Sequence, residues 1–218
     1  NQSIDSLFFS RSNLDNSSVD KIVSNALHKA DDGELFMEFC ESESFVYDDQ
    51  RLKSASFDKS KGFGLRAVAG ESSGYAHSSD IDEKSLKKAS DTVNFVTKDN
   101  NANFNAAFSQ TNRKLYKETN PINETEFSEK VNVLKDIDEY ARSKNTQVKQ
   151  VSASLNGEWQ AVRIYRPGGI VIEDLRPLVR LYISIVLEKD GRQENGSRGS
   201  GGRVDYSYFL DTNKLKQQ

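Results

Sequence analysis

Apolar residues at Val19, Ile22, Val23, Ala26, Leu27 and Ala30 recur every three or four positions, the spacing that stacks side chains on one face of an α-helix. This stripe predicts an amphipathic helix capped by Ser17 and stopped by Gly33. Past Gly33 the period falls to two. Leu35, Met37 and Phe39 share one parity, followed by Phe45 and Tyr47, by residues from Leu52 onward, and by Phe63, Leu65 and Ala67. Alternation of this kind marks strands with one buried face. Asp48-Asp49-Gln50, Gly62 and Gly70-Glu71 supply turn chemistry between them, so the pattern predicts a run of short antiparallel strands. A second helix is expected from Asp80, with Glu83 placed as in a capping box and Leu86, Ala89, Val93 and Val96 on one stripe.

Residues from Lys98 to Pro121 are rich in Asn, Lys and Thr and read as a linker. They divide the chain near Gln110 into two domains, residues 1–110 and 111–218. A long helix is expected from Glu124 to Ser143, turning Phe127, Val131, Leu134, Ile137 and Ala141 inward. Val151, Ala153 and Leu155 then lead to Asn156-Gly157, a dipeptide suited to a two-residue hairpin, with Trp159 to Tyr165 as the return strand. Pro167-Gly168-Gly169 makes the next turn, Ile170–Asp174 and Leu178–Leu187 read as strands, and Asp190-Gly191 closes another hairpin before a glycine-rich loop from Gly196 to Gly202. Each half thus repeats a helix followed by hairpins, as an internal duplication would. The expected fold class is α+β: two related units of antiparallel sheet with amphipathic helices on one face. Tyr182 and Val186 disturb the alternation in the last long strand, which is therefore expected to be covered on both sides.

Composition narrows the setting. With 35% apolar and 29% charged residues and a net charge of −3, the chain folds without a general attraction for phosphate backbones or anionic membranes. The single cysteine, Cys40, can form no intrachain disulfide, which suits a cytoplasmic protein. The longest apolar run, Leu181 to Leu187, is far shorter than the roughly 20 residues of a membrane span. Asn1 opens the chain without a methionine and Gln218 falls in what reads as the middle of a helix, so the sequence reads as part of a longer chain.

Candidate chemistry is sparse. His28, His77 and Cys40 are the only soft or borderline metal ligands, and they stand at a helix end, near the surface after a strand, and on a half-buried strand face, with no convergence. Glu38, Glu41, Glu43, Asp48, Asp49, Glu173 and Asp174 read as a solvated charged face rather than as acid–base groups. The stretch from Arg192 to Arg203 could be a phosphate loop or an Arg/Gly nucleic-acid tract. It lacks the Gly-Lys-Ser/Thr that a phosphate loop needs, and Glu194 dilutes its basic charge, so a flexible or closely packed loop is the expected structure.

Two blocks carry a resemblance. Arg51-Leu52-Lys53-Ser54-Ala55-Ser56-Phe57 with Lys61-Gly62-Phe63-Gly64-Leu65-Arg66-Ala67-Val68-Ala69-Gly70-Glu71 and Gly74-Tyr75-Ala76 forms the first. Asp174-Leu175-Arg176-Pro177-Leu178-Val179-Arg180-Leu181, Asp190-Gly191-Arg192, Gly199 to Arg203 and Tyr206 to Leu210 form the second. In order and spacing they resemble the first two domains of the TldD/PmbA family of metallopeptidases, on the TldD side. The resemblance implies a zinc-dependent peptidase, formerly described as a modulator of DNA gyrase. Such an enzyme works in the cytosol as a heterodimer with a PmbA/TldE-like subunit and trims unfolded or extended peptides, among them peptide antibiotic precursors and antitoxins. Its metal ligands, a His-Glu-x-x-x-His helix and a later cysteine, do not occur in this sequence. The chain would then be the N-terminal, substrate-enclosing and dimer-supporting region, with zinc expected only in the full-length protein and no catalytic or metal residues of its own. Gly199, Gly201, Gly202, Arg203 and Tyr206 are the residues expected to lie nearest the peptide, the glycines letting its backbone approach. The alternative is a non-catalytic interaction module acting on gyrase or another partner.

Overall fold

A computed structural model describes residues 3–10, 12–98 and 115–211. The expected boundary near Gln110 and the expected helix running through Gln218 lie outside the described residues. Helices α1 (Ile4–Phe9) and α2 (Asn16–Leu27) precede a meander of β1 (Asp32–Asp48), β2 (Arg51–Ala69) and β3 (Ser72–Ser78), which α3 (Glu83–Thr97) follows. Then come α4 (Pro121–Glu124), α5 (Phe127–Lys144), a second meander of β4 (Val148–Arg166), β5 (Ile170–Lys189) and β6 (Arg192–Gly202), and α6 (Ser207–Leu210). The six strands form one sheet in the order β3-β2-β1-β4-β5-β6, with β2–β3 and β5–β6 paired antiparallel. Helix, long strand, long strand, shorter strand occurs twice in that order, with strands of 17, 19 and 7 residues in the first meander and 19, 20 and 11 in the second. The fold is α+β with an antiparallel sheet, as the patterning implies.

The chain clusters into two compact units, each drawn from three stretches of sequence: Asn1–Cys40, Ser60–Arg113 and Gln160–Asp174 in the first, Glu41–Lys59, Lys114–Trp159 and Leu175–Gln218 in the second. In the first unit Val19, Val23 and Leu27 of α2 and Leu86 and Val93 of α3 bury against Leu35 and Met37 of β1 and Leu65 of β2, with Phe8 and Tyr165 completing the core. In the second, Val133 and Leu134 of α5 and Tyr206 and Phe209 pack on Phe45 of β1, Ala153 and Leu155 of β4 and Val179 and Leu181 of β5.

Several elements differ from the reading by pattern, each for a local reason. The α2 cap is Asp15, not Ser17: its carboxylate accepts from the Ser18 backbone at 2.7 Å while the Ser18 hydroxyl accepts from the Asp15 backbone at 2.9 Å. Hydrogen bonds from Ser18 hold the Asp15 pKa below its ordinary value, the hydroxyl contributing most. Helix α3 begins at Glu83 behind Asp82, which accepts from the Ser85 backbone. Along α5 the buried positions are Lys130, Val133, Leu134 and Asp138, with Val131 and Ile137 partly buried, whereas Phe127 is 54% exposed.

The strands are long rather than short. Gly62 lies inside β2, and Asn156-Gly157 lies inside β4 rather than at a hairpin. Pro177 lies inside β5 but beyond the last β6 pair at Val179, where the missing N–H breaks no bond to β6. The segment expected as a glycine-rich loop is strand β6. True turns fall where residues take positive φ: Asp49 and Gln50, Gly70, Gly168 and Gly169, and Asp190 and Gly191.

Candidate functional site

Buried polar side chains mark where the second unit departs from an ordinary apolar core. Lys130, only 3% exposed, projects from α5 and donates to Glu43 Oε1 at 2.6 Å and to the Ile122 carbonyl at 2.8 Å. Its ammonium lies 4.8 Å from the centre of the Tyr206 ring and 5.8 Å from that of Phe45, within cation–π range. On the same face of β1, Glu41 is also buried and accepts from Asn120 at 2.7 Å with Lys59 beside it. These two carboxylates are partnered core groups and do not belong to the solvated face expected of them. Glu38 accepts from Gln160, Asp48 from Ser152 and Gln150, and Asp49 and Glu173 pair with Arg142 and Arg163.

In the first unit Arg163, 2% exposed, meets Asp5 at 2.7 Å and Asn16 at 3.0 Å and lies over the rings of Phe8 and Phe9. Burial would lower its pKa, but Tyr165, Asp5 and Glu173 outweigh that and keep it charged. The cluster ties α1 and the start of α2 to β4.

Four of the five residues expected nearest a ligand gather at the sheet edge. Gly199, Gly201 and Gly202 lie on β6 opposite Tyr182, Arg180 and Val179. Arg203 follows, donating to the Pro177 carbonyl at 3.2 Å with its guanidinium 5.9 Å from the Tyr116 ring centre. Because β6 ends the strand order, its outward backbone groups meet no further strand among the described residues, leaving a row of donors and acceptors able to pair with an extended segment. The stretch from Arg192 to Arg198 is not a uniform basic stripe, since Arg192 donates to Glu194 at 2.7 Å.

Tyr206 is not at this edge. It is 1% exposed, and its hydroxyl sits over Gly157, where an added Cβ would come within 2.1 Å. The hydroxyl lies beside Glu43 without a well-formed hydrogen bond, and burial, then the Glu43 charge, push its pKa far up, so it stays neutral. Gly201 is built into the edge: its φ is +156° and a Cβ there would lie 2.2 Å from the Val179 carbonyl.

Two concavities stand out among the described residues of the second unit. Ser42, Ser44, Ser56, Asn156, Leu178 and Arg180 are among the residues that line a cleft of about 320 Å³. A larger groove, about 610 Å³, is lined by β5, β6 and α5, with Leu181, Ile183, Ile185 and Leu187 among its residues. Pattern reading missed both the buried lysine and this groove. The first had a signal, since Lys130 falls within the stripe that includes Leu134.

For a metal the described residues offer no suitable set, as no three His, Cys, Asp or Glu side chains come together among them. His28 caps the exposed C-terminus of α2 with Nδ1 2.8 Å from the Asn25 carbonyl, His77 is exposed on β3, and Cys40 is half-buried on β1. Among the same residues no helix is long and apolar enough to cross a membrane.

Residues 33–93 match the model of the PmbA/TldA metallopeptidase domain 1, and residues 120–217 that of the PmbA/TldA metallopeptidase central domain. A metalloprotease TldD homolog of Haemophilus influenzae is 34% identical over 92% of this chain and 42% of its own length. A second, from Buchnera aphidicola subsp. Acyrthosiphon pisum, is 30% identical over 83% of this chain and 38% of its own. The chain thus spans less than half the length of these relatives. In fold it is similar to a protein described as a modulator of DNA gyrase from Bacteroides thetaiotaomicron, with TM-score 0.66 at 14% identity over 86% of this chain and 45% of that one. It is similar also to TldE from Thermococcus kodakarensis, with TM-score 0.58 at 15% identity over 92% and 46%.

Proposed function

The chain belongs to the PmbA/TldD metallopeptidase family, whose first and central domains it carries, and from that premise we propose that it is the region that holds an extended peptide substrate while the cutting metal is supplied by other polypeptide. The observation that carries this reading is the open edge of β6. Its glycines and serines leave the backbone accessible, and an extended peptide can add to such an edge through main-chain hydrogen bonds whatever its side chains. That suits an enzyme acting on unfolded peptides, including antibiotic precursors and antitoxins. Mixed charge at Arg192, Glu194 and Arg198 works against pairing of one edge with another copy of itself.

Zinc, the metal that the family resemblance implies, does not fit the described residues, and no step is assigned to it in this chain. The fold that the chain shares with TldE suits a dimer of two related subunits, a TldD-like one and a PmbA/TldE-like one, meeting about a pseudo-two-fold axis. A cytoplasmic setting accords with a sequence whose single cysteine can form no intrachain disulfide. The rival reading, an interaction module acting on gyrase, draws on the descriptions of fold neighbours alone.

Hydrogen exchange tests the proposal. On adding a peptide of about ten residues, long enough to span one strand, amides between Arg192 and Gly202 are expected to slow while those of α2 and α3 stay unchanged. Unchanged exchange along β6 under saturating peptide would remove the reading.

A further inference from the structure

The groove beside β6 has a specific shape. Its floor is four aliphatic side chains of β5, Leu181, Ile183, Ile185 and Leu187, at alternate positions and therefore on one face. Ile137 and Tyr140 of α5 wall one side. Opposite the floor residues on β6 stand Ser200, Arg198, Gly196 and Glu194 in that order, facing the same way. A Cβ added at Gly196 would meet no atom within 4 Å. The side next to the free edge is therefore low, and the apolar floor is reachable from it.

We propose that this groove receives alternate side chains of a peptide paired along β6, so that the protein favours extended peptides with an aliphatic or aromatic residue at every second position. The proposal rests on the reading that β6 pairs with the peptide. A strand added to β6 continues the pleat, so every second peptide side chain falls on the face of Gly196 and Ser200, within reach of cross-strand neighbours. Gly196 and Ser200 are small, and at Gly196 the incoming side chain extends over the strand onto Ile185, which stands opposite it. The rim carries Glu194 and Arg198, one charge of each sign, and so gives no preference for a charged peptide. The occupant is a peptide rather than a second copy. The groove opens onto the free edge of β6, whose alternating charges at Arg192, Glu194 and Arg198 work against pairing with the same edge of another copy, and its volume takes a few side chains.

The test measures fluorescence anisotropy of two labelled peptides, each of about ten residues, with the whole chain. One has Leu at alternate positions with Thr between, and the other has Ser in place of each Leu. The Leu peptide is expected to bind on the order of tenfold tighter or more. Gly196→Trp, which fills the low side, should erase that preference, so that this variant binds the two peptides equally. Ile185→Asn, at the half-buried floor, should do the same if the tryptophan variant fails to fold. Equal affinities for the two peptides, or a preference that survives both variants, would overturn the proposal while leaving strand pairing intact. If neither peptide binds, the pairing reading falls as well. Concentration-dependent dimerisation abolished by Gly196→Trp would assign the groove to a second copy and overturn the proposal.

Discussion

Replacing Lys130 by methionine is expected to lower stability by about 3–5 kcal/mol, the cost of leaving one member of a buried ion pair without its partner. Methionine approximates the length of the lysine stem, so the change deletes charge more than volume. Glu43, its side chain 8% exposed, keeps its carboxylate beside Tyr206 with no cation to balance it, and the Ile122 carbonyl in α4 loses its donor. A urea titration reads the effect as a lower midpoint at unchanged slope. Adding Glu43→Leu should recover most of the loss, because a well-packed apolar pair can replace a buried ion pair at little cost. A double variant as unstable as the single one would mean that Lys130 acts through its contacts with the rings and not through Glu43.

Gly157→Ala is the second large effect, and its sign runs against propensity. In most strands alanine is the better residue, since glycine loses more freedom on folding. Here the new methyl would meet the Tyr206 hydroxyl at 2.1 Å and its Cζ at 2.8 Å, and Tyr206 is buried on all sides. Overpacking of this kind costs about 1–3 kcal/mol. Tyr206→Phe alone should be neutral or slightly stabilising, because it removes a buried hydroxyl that has no good partner. Combined with Gly157→Ala it should restore part of the loss, and a thermal melt of the four proteins decides the matter. Strict additivity would show that the two sites do not touch.

The same residues explain how far the sequence can be read. Local turn chemistry at Asn156-Gly157 suggests a hairpin, yet Val151, Ala153, Leu155, Trp159, Ala161 and Tyr165 are all buried and all of one parity. A two-residue turn would have reversed that parity after Gly157, so the burial of odd positions on both sides of it is the better guide, and it is honoured by a strand of 19 residues. Gly157 admits Tyr206, which precedes α6, and that demand comes from so far along the chain that no local window contains it. The glycine-rich stretch misleads in the opposite direction. Glycine weakens an isolated strand, but on β6 the register with β5 supplies the order that composition does not.

Helices α2, α3 and α5 are legible because their apolar stripes are long, and their ends are less so because Asp15, Ser17 and Asp82 are all competent caps on composition alone. At the candidate site, the blocks that carry the family resemblance place Gly199, Gly201, Gly202 and Arg203 together, and the sheet edge gives that placement a physical form. Tyr206 shares their segment but not their setting, because the chain entering α6 turns it into the core. The Lys130–Glu43 pair joins residues 87 positions apart, and nothing short of the folded chain brings them together.

The central claim is that this chain holds peptide but neither metal nor catalysis. It is met most directly by incubating the purified chain with zinc and an unfolded peptide, removing free metal by dialysis, and measuring bound zinc and peptide cleavage in the same sample. The account predicts far less than one zinc per chain and an intact peptide. One tightly held zinc per chain together with cleaved peptide would contradict it.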